Sequence, residues 1–340
     1  MYKFNILLPI YCGSKTLSQA LFSIKNALIK DVILTLYVLD DNYPSNIVEI
    51  KETLDILENS GLNFKYTKSN INLGYSNAMS FLYSKVDSGI VVYFAQDDLL
   101  SQNFFSEHIH AYSIGASFTS RSFGMFLGSP SNVIREMPPL GIKSIFNLFE
   151  LSEFQLKTFM FSLSQLSGLS FLKDHAHLNI HPDTFTAHIY PILSVALNHP
   201  GYYFDDYQVL CRIESSQTLF SKKIYTPPPT TQWMTLIATI FPANSLQFKW
   251  MKIDRSKNFV GLNQILLYSG RYAFFKELFV MIQLNPLILL NFNSYIWIFL
   301  ALLPKRVVFF LSSLAKLFLF KISHNSKNYR KSLDNFSLYI

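Results

Sequence analysis

Cysteine and charge are both scarce in this 340-residue chain. Its two cysteines, Cys12 and Cys211, are far apart in the sequence and form neither a CxxC pair nor a metal-ligand spacing. This excludes a disulfide framework and a cysteine-based zinc site, and it indicates a reducing compartment. Charged residues make up only 15% of the chain and hydrophobic residues 50%, so the composition is that of a folded protein rather than a disordered one.

Two further absences narrow the class of protein. The sequence contains no GxxxxGK[ST] motif, which excludes the phosphate-loop NTPases. The opening "MYKFNILLPIYC" has neither a basic segment nor a small-residue cleavage site, so we expect a first β-strand there and no signal peptide. Its apolar run is also shorter than the roughly 20 residues that a membrane-spanning helix needs.

Aromatic residues and basic residues are abundant instead, and both mark the C-terminal tail. The chain has 32 Phe, 19 Tyr and a net charge of +7. "NSYIWIFLALLPKRVVFFLSSLAKLFLFKI" is strongly apolar but is divided at Pro304, Lys305 and Arg306, and from Leu278 onward the only acid is Asp334. We expect an apolar, basic helical region that associates with an anionic membrane surface, the alternative being a helical cap on the core. Nucleic acid is not an expected partner, because the cations do not form a stripe with exposed aromatics.

Strand and helix patterns alternate through the first hundred residues. Short apolar runs predict strands at residues 4–10, 32–41, 63–69 and 90–98, and helical periodicity predicts helices at 15–29, 45–61 and 74–89. This order is typical of an α/β protein with a mainly parallel sheet, whose ligand site lies beyond the carboxyl ends of the strands. Farther on we predict a small-residue strand near 168, a helix from about 185, a strand near 208 and a Pro-rich boundary at 225–233.

Polar residues follow each of the first strands on this edge. They are Pro9 and Tyr11, then Asp40 and Asp41, then the "NINLGYSN" turn, and finally Asp97 and Asp98. Adjacent carboxylates at the end of a buried strand are costly unless a cation or donors compensate them. Each pair taken alone could be a helix cap or a solvated turn. Together they suit a nucleotide-sugar, whose diphosphate takes Mg²⁺ or Mn²⁺ and whose base and ribose donate hydrogen bonds.

Four segments resemble the glycosyltransferase family 2 pattern on a GT-A fold. They are "NILLPIYCGSKTLSQALFSI", "YVLDDNYPSN", "NINLGYSNAMSFLYSKVDSGIVVYFAQDDLL" and "LSGLSFLKDH", in the family's order, across about residues 3–215. The resemblance implies a Rossmann-like, mainly parallel sheet flanked by helices, and an inverting transfer of a sugar from a nucleotide donor. It implies a GT-A domain at 1–225, with a nucleotide-binding half at 1–100 and an acceptor half at 101–225. A helical, membrane-associating region at 226–340 follows.

The resemblance also assigns roles by position. Pro9 and Tyr11 match the turn that contacts the nucleotide, and Asp40 and Asp41 match the acids that bind base and ribose. Asp97 matches the metal-binding last acid of the DxD motif. The remaining donor-binding positions are Asn72, Gly74, Gln96 and Asp98, with Asn77 opening the helix behind them. Ala95 stands where the family commonly has an acid, so one metal or ribose contact is missing or is replaced through Gln96.

The general base is expected in the acceptor half, near "HPDTFTAHIYP". Asp183 is the first candidate, His188 the second, and Asp205 or Asp206 the third, since a base must reach the acceptor hydroxyl with a suitable pKa. A zinc site from His175, His177 and His181 lacks any supporting spacing. Arg212 either neutralises a diphosphate or pairs with Glu214.

The expected protein is therefore a membrane-associated glycosyltransferase. We expect it at the cytoplasmic face of the bacterial inner membrane, with a nucleotide-sugar donor and a saccharide acceptor, lipid-linked as in O-antigen or capsule assembly. Two alternatives stay open. One is a sugar-nucleotide or membrane-binding protein of the same fold that has lost its chemistry, which Ala95 favours. The other is a glycoside hydrolase, which also uses two carboxylates but does not need the Asn-x-Gly turn.

Overall fold

The structure, a computed structural model, describes most of the chain as two compact units. The described residues are 1–11, 14–41, 47–136, 139–142, 144–181, 185–213, 226–257, 262, 265–267, 269–311, 336 and 338. The first unit comprises Met1–Asp183, Ala187–Ser215 and Ser326–Ile340, and the second comprises Thr184–Thr186 and Ser216–Asn325. The domain boundary predicted at residue 225 lies outside the described residues.

The first half of the first unit is a parallel sheet, as the sequence predicts. Its strands are β1 (Tyr2–Ile10), β2 (Val32–Asp40), β3 (Phe64–Lys68) and β4 (Ile90–Tyr93), and its helices are α1 (Ser14–Ala27), α2 (Ile47–Ser60) and α3 (Tyr75–Ser84). Strand β1 pairs in parallel with both β2 and β4, and β2 pairs with β3. The carboxyl ends of β1, β2 and β4 therefore meet at one edge of the sheet, which we call the carboxyl edge.

Strand β4 is shorter than the predicted 90–98. It ends at Tyr93, and the chain turns at Gln96 and Asp97, with the Asp98 amide donating to the Ala95 carbonyl at 3.4 Å. The apolar run continued past Tyr93 in the sequence because Phe94 is buried as well. The buried apolar run is therefore longer than the strand, and the two acids lie on the turn that follows it.

The second half of the unit extends the same sheet with mixed pairing. Its elements are β5 (Leu99–Leu100), α4 (Phe104–Ser113), β6 (Phe118–Phe126), β7 (Val133–Glu136), α5 (Glu153–Ser162), β8 (Ser170–Leu172), α6 (Ile189–Ala196) and β9 (Gly201–Arg212). The strand order is β3-β2-β1-β4-β8-β6-β9-β5, with β7 on β6. Strand β8 is antiparallel to β4 and β6, β5 is antiparallel to β9, and β6 and β9 run parallel.

Two predictions in this half were wrong in detail. Helix α6 begins at Ile189, four residues after Phe185, where a turn precedes it. The Asp205-Asp206 pair, which we expected to form a turn before the strand near 208, does not form one. It lies inside β9, where the register jumps from Arg121 opposite Phe204 to Ser122 opposite Tyr207. A bulge of this kind lets polar residues sit within a strand, which the period-two pattern hides.

The core of the first unit lies on both faces of the sheet. Strand β1 is buried along most of its length because helices cover both of its faces, as is usual for parallel strands. Helix α1 packs one stripe against the sheet, and the stripe consists of Leu17, Ala20, Leu21 and Ile24. These positions match the helical spacing in the sequence, which is why α1 could be predicted closely.

The second unit is helical. Its helices are α7 (Pro229–Ile240), α8 (Leu246–Ser256), α9 (Arg271–Leu284) and α10 (Phe292–Leu302), with a 3-10 turn at Pro286–Leu290 and a helical stretch at 305–311. Its core includes Leu262, Ile265, Phe274, Met281 and Ala301. Among the residues that the structure describes, no helix combines the length and the apolar character that crossing a bilayer requires.

Gly201 opens β9 against the ring of Phe118, and a Cβ at this position would overlap that ring. We expect Gly201→Ala to lower the free energy of unfolding by about 1–3 kcal/mol, since overpacking a tight core forces side chains from their rotamers. Chemical denaturation measures the loss. The substitution should cost less in a Phe118→Leu background, and an equal cost in both backgrounds would refute this explanation.

Candidate active site

The carboxyl edge is held together by the side chain of Gln96. Its Oε1 accepts a hydrogen bond from the Tyr11 amide at 2.8 Å, and its Nε2 donates to the Tyr11 carbonyl at 2.6 Å. The turn after β4 is thereby fastened to the turn after β1, beyond the last ladder bond between them. Gln96 is buried, and both the oxygen and the nitrogen of its side-chain amide are hydrogen-bonded to the Tyr11 backbone.

Asp41 fixes the start of α3. Its Oδ1 accepts from the Leu73 amide at 2.6 Å, its Oδ2 accepts from the Gly74 amide at 2.9 Å, and its own amide donates to the Ile10 carbonyl at 2.9 Å. Burial raises the pKa of Asp41, while the two backbone donors lower it and the nearby Asp40 raises it further. The carboxylate thus lies at the positive end of the α3 dipole.

The other predicted donor-binding residues surround this contact. Asn72 Oδ1 accepts from the same Gly74 amide at 2.8 Å, and Asn77 Nδ2 donates to the Leu73 carbonyl at 3.1 Å. Gly74 has φ 74°, a conformation that glycine adopts without strain. Asp40 accepts from the Tyr66 hydroxyl at 2.9 Å, and Pro9 pairs with Leu39 at the end of the ladder. The sequence therefore brings all of these residues to one edge, as predicted.

Asp97 and Asp98 have different environments although they are adjacent. Asp98 is buried: its Oδ1 accepts from the Arg212 amide at 2.9 Å and its Oδ2 accepts from Gln165 Nε2 at 3.3 Å. Burial, with the charge of Asp97 added, raises the pKa of Asp98 to about 7. Asp97 is only partly buried. Asp98 therefore joins the β4 turn to β9, while Asp97 is the acid of the pair that lies nearer solvent.

Arg212 places a cation beside this turn. Its Nε lies 3.4 Å from the Asp97 carbonyl, its Nη2 donates to Gln19 Oε1 of α1 at 2.7 Å, and its guanidinium lies 4.7 Å from the Phe126 ring centre. The alternative partner Glu214 is outside the described residues. The guanidinium is thus held between α1 and the acid turn, at the carboxyl edge.

Arg121 is a buried cation that sequence reasoning missed. It is fully buried on β6, and its guanidinium donates to the carbonyls of Ser162 at 3.0 Å, Gln165 at 2.9 Å and Ser167. Burial lowers the pKa of Arg121 to about 10, with Asp98 among the groups acting in the opposite direction. The segment that it holds in turn donates to Asp98 from Gln165 and accepts from the Ala95 amide at Ser167 Oγ. The only signal in the sequence was an arginine in the otherwise uncharged strand "FTSRSFGMF".

The first two candidates for the general base differ in what the structure shows of them. Asp183 lies outside the described residues. His188 is buried, with Nδ1 2.5 Å from the Tyr75 hydroxyl and Nε2 2.8 Å from the Leu163 carbonyl. Because the carbonyl can only accept, Nε2 carries the proton and Nδ1 accepts from Tyr75. Burial lowers the pKa of His188 to about 4, so the ring is neutral and occupied on both sides.

The remaining candidates serve other contacts. Asp205 Oδ1 accepts from the amides of Leu140 at 2.6 Å and Gly141 at 3.1 Å, while Asp206 is exposed. His175 stacks on His199 at 4.0 Å and His181 stacks on Tyr190 at 5.1 Å. Within the described part of the chain, no three His, Cys, Asp or Glu side chains are arranged to hold a metal ion. The structure thus gives no support to a zinc site at His175, His177 and His181.

Comparison with known proteins confirms the resemblance for residues 5–125 and for the fold. Residues 5–125 match the model of glycosyl transferase family 2, and no curated protein matches the sequence. S. aureus TarS is similar in structure, with a TM-score of 0.52 at 14% identity over 84% of this chain and 49% of TarS, so the chain spans about half of that protein. TarS 1-349 in complex with UDP-GlcNAc has a TM-score of 0.50 at 14% identity, covering 99% of this chain and 92% of that one. These likenesses show an α/β fold of the GT-A type.

The neutral His188 makes a testable contribution to acid sensitivity. Its pKa is about 4 in the folded chain against about 6.5 in an unfolded one, so the unfolded chain binds the proton more tightly. Stability from this group is therefore present above pH 6.5 and is lost as the pH falls towards 4, by about 2 kcal/mol at pH 5. We expect His188→Gln to flatten the unfolding free energy against pH by that amount. A profile as steep in His188→Gln as in the original protein would contradict the assignment.

Proposed function

We propose that this chain, whose residues 5–125 match glycosyl transferase family 2, moves a sugar from a nucleotide-sugar donor to a saccharide acceptor. The observation that carries the proposal is the carboxyl edge, where Tyr11, Asp41, Asp97 and Arg212 meet at the ends of β1, β2, β4 and β9. In parallel α/β sheets this is where ligands bind. The complex of TarS 1-349 with UDP-GlcNAc supports a donor of this class.

The donor site combines a backbone cradle with charge. Asp41 holds the Leu73-Gly74 turn, so the chain around Asn72 and Gly74 has one fixed shape before a ligand arrives. Gln96 likewise fixes the Tyr11 turn. The proposed roles are contacts of these turns with base and ribose, and contacts of Asp97 and Arg212 with the diphosphate. Sites fixed in advance lose little ordering entropy on binding.

A divalent cation at this edge would be bound by one carboxylate of the protein together with the diphosphate of the donor. Ala95 contributes no ligand, and both oxygens of Asp98 accept hydrogen bonds from protein groups. We assign the Mg²⁺ or Mn²⁺ contact to Asp97, because it matches the family's metal-binding acid and is only partly buried. One or two carboxylates with substrate phosphates are the usual protein contribution to a magnesium site. When bound there, the ion would neutralise charge on the leaving diphosphate. Arg212, held beside the same turn, supplies a second positive charge from the chain itself.

We assign the general base to Asp183, in an inverting transfer. His188 has both ring nitrogens bonded inside the protein, and Asp205 holds the Leu140-Gly141 turn. Those contacts favour Asp183 among the candidates. The base would take the proton of the acceptor hydroxyl as that oxygen attacks the sugar carbon and the diphosphate leaves. We further propose a lipid-linked acceptor at the cytoplasmic face of a bacterial membrane, in surface polysaccharide assembly, supported by the apolar and basic tail.

Nucleotide binding tests the donor site. Titrating the protein calorimetrically with nucleoside diphosphates, with and without Mn²⁺, should find one that binds and binds more tightly with the ion. Asp97→Asn should remove the gain, weakening the Mn²⁺-dependent affinity by about tenfold or more. The matched control is Asp174→Asn, at an exposed acid on the Lys173–His175 turn, which should bind like the original protein. If no nucleoside diphosphate binds, the transferase proposal fails and a hydrolase gains support.

Turnover tests the base and separates an enzyme from a binding protein of the same fold. The readout is release of the nucleoside diphosphate from a donor, to water or to a saccharide. Asp183→Asn should lower this rate by about 10²- to 10⁴-fold while nucleotide affinity stays unchanged. His188→Gln should have the smaller effect. A rate unaffected by Asp183→Asn would move the base elsewhere, and binding without any turnover would identify a non-catalytic relative.

A further inference from the structure

Exposed apolar side chains are concentrated in one part of the second unit. Of the 27 large apolar residues that are exposed in the described part of the chain, 15 lie between residues 272 and 311. This segment contains α9, the Pro286–Leu290 turn, α10 and the helical stretch 305–311. Scattered exposed apolar residues are normal on a protein surface, whereas their concentration in one segment indicates an interaction site.

The exposed residues of α9 form one stripe. Tyr272, Phe275 and Phe279 are spaced by three and four residues, so they lie on the same face of the helix, and Tyr272 is 82% exposed. The opposite face contributes Phe274, Leu278 and Met281 to the core of the unit. Helix α9 is therefore apolar on both sides, whereas an ordinary surface helix has a polar outer face.

Helix α10 leaves several of its large residues exposed, while Trp297, Ile298 and Leu300 are partly buried against the core of the unit. Phe292, Tyr295, Phe299 and Leu302 are exposed at helical spacing, with Phe292 76% and Phe299 61% exposed. The buried positions of α10 are Ser294 and Ala301. Core packing does not explain why Phe292, Tyr295, Phe299 and Leu302 are exposed, since each would remove a large apolar area from water if it faced the core.

The same segment, residues 271–311, carries positive charge and no exposed acid. Its cations are Arg271, Lys276, Lys305 and Arg306. Glu277 is the one acid between residues 271 and 311, and it is buried, where its carboxylate accepts from the Thr230 amide and hydroxyl. We call the exposed apolar residues of 272–311, with these four cations, the aromatic-basic face.

We propose that the aromatic-basic face docks on an anionic lipid surface. Rings at the depth of the headgroups and cations beside anionic headgroups are the two contacts that amphipathic helices make with a bilayer. Helices α9 and α10 have 14 and 11 residues, or about 21 and about 17 Å, and would lie along the surface with their aromatic stripes inward.

Charge favours lipid over a second copy of the chain. In a symmetric dimer built on this face, Lys276, Lys305 and Arg306 would approach their own copies, and the face has no exposed acid to pair with them. A surface of acidic lipid supplies that complement. Within the region 226–340 that the sequence predicts, the structure identifies the exposed residues that would make the contact, Tyr272, Phe275 and Phe279 of α9 among them.

Vesicle binding by the full chain tests the proposal. The protein is sedimented with phosphatidylcholine vesicles with and without phosphatidylglycerol, and it should bind those that contain the anionic lipid. Phe292→Ser with Phe299→Ser should weaken that binding at least about tenfold, because two rings leave the interface. The matched control is Phe154→Ser, which removes an equally exposed ring from α5 in the first unit and should bind as the original does.

A charge variant keeps the test decisive if the double serine variant folds poorly. Lys305→Glu with Arg306→Glu changes two exposed residues and should reduce binding to phosphatidylglycerol vesicles to the level seen with phosphatidylcholine alone. Nucleotide affinity measured on the same variants should not change, so failure here is distinguishable from failure of the proposed function. The proposal is overturned if the original protein ignores both kinds of vesicle, or if both variants bind normally. A dimer in solution that the serine variant dissociates would assign the face to a second copy instead.

Discussion

The contact on which the candidate site depends is the pair of hydrogen bonds between the Gln96 amide and the Tyr11 backbone. Strand β1 lies between β2 and β4, so the position of its end determines how the turns after all three strands meet. Gln96 fixes that end on the β4 side, and the Asp41 amide fixes it on the β2 side through the Ile10 carbonyl. The Asp41 carboxylate accepts hydrogen bonds from the Leu73 and Gly74 amides, and this fixes the start of α3 at the same edge. Gln96 and Asp41 together thereby align four segments of the edge.

A second constraint is the pair of charges buried beneath this edge. Asp98 and Arg121 are both buried, and each acts on the other's ionisation, Arg121 favouring the charged carboxylate. They are linked through the 162–168 segment, which receives the Arg121 hydrogen bonds and donates to Asp98 from Gln165. Burying such charges brings little net stability, because desolvation offsets most of the attraction. What the pair does supply is a fixed position for the turn that carries Asp97.

The sequence could predict features that depend on local spacing. Apolar runs and helical periodicity located β1, β2, β3 and α1 closely, and parallel topology then required their polar ends to meet. Features that depend on distant partners were not accessible. Gln96 was predicted as a donor-binding residue, but its hydrogen bonds to the Tyr11 backbone, 85 positions away, could not be predicted. Arg121 finds its carbonyls about 40 residues later, and the bulge at Asp205 and Asp206 exists because β9 pairs with β6. None of these distant contacts produces a periodic pattern in the sequence.

In the second unit, the sequence pattern does not show which apolar residues are buried. Its composition predicted an apolar, basic region, but only the structure distinguishes apolar residues that build a core from those that do not. Ser294 and Ala301 face inward on α10 while Phe292 and Phe299 face outward, although burying the rings would remove far more apolar area from water. Helix α9 also has exposed rings on its outward face, while its inward face contributes Phe274 and Met281 to the core. Phe292 and Phe299 are not part of that core, and the proposed contact with lipid would account for their exposure.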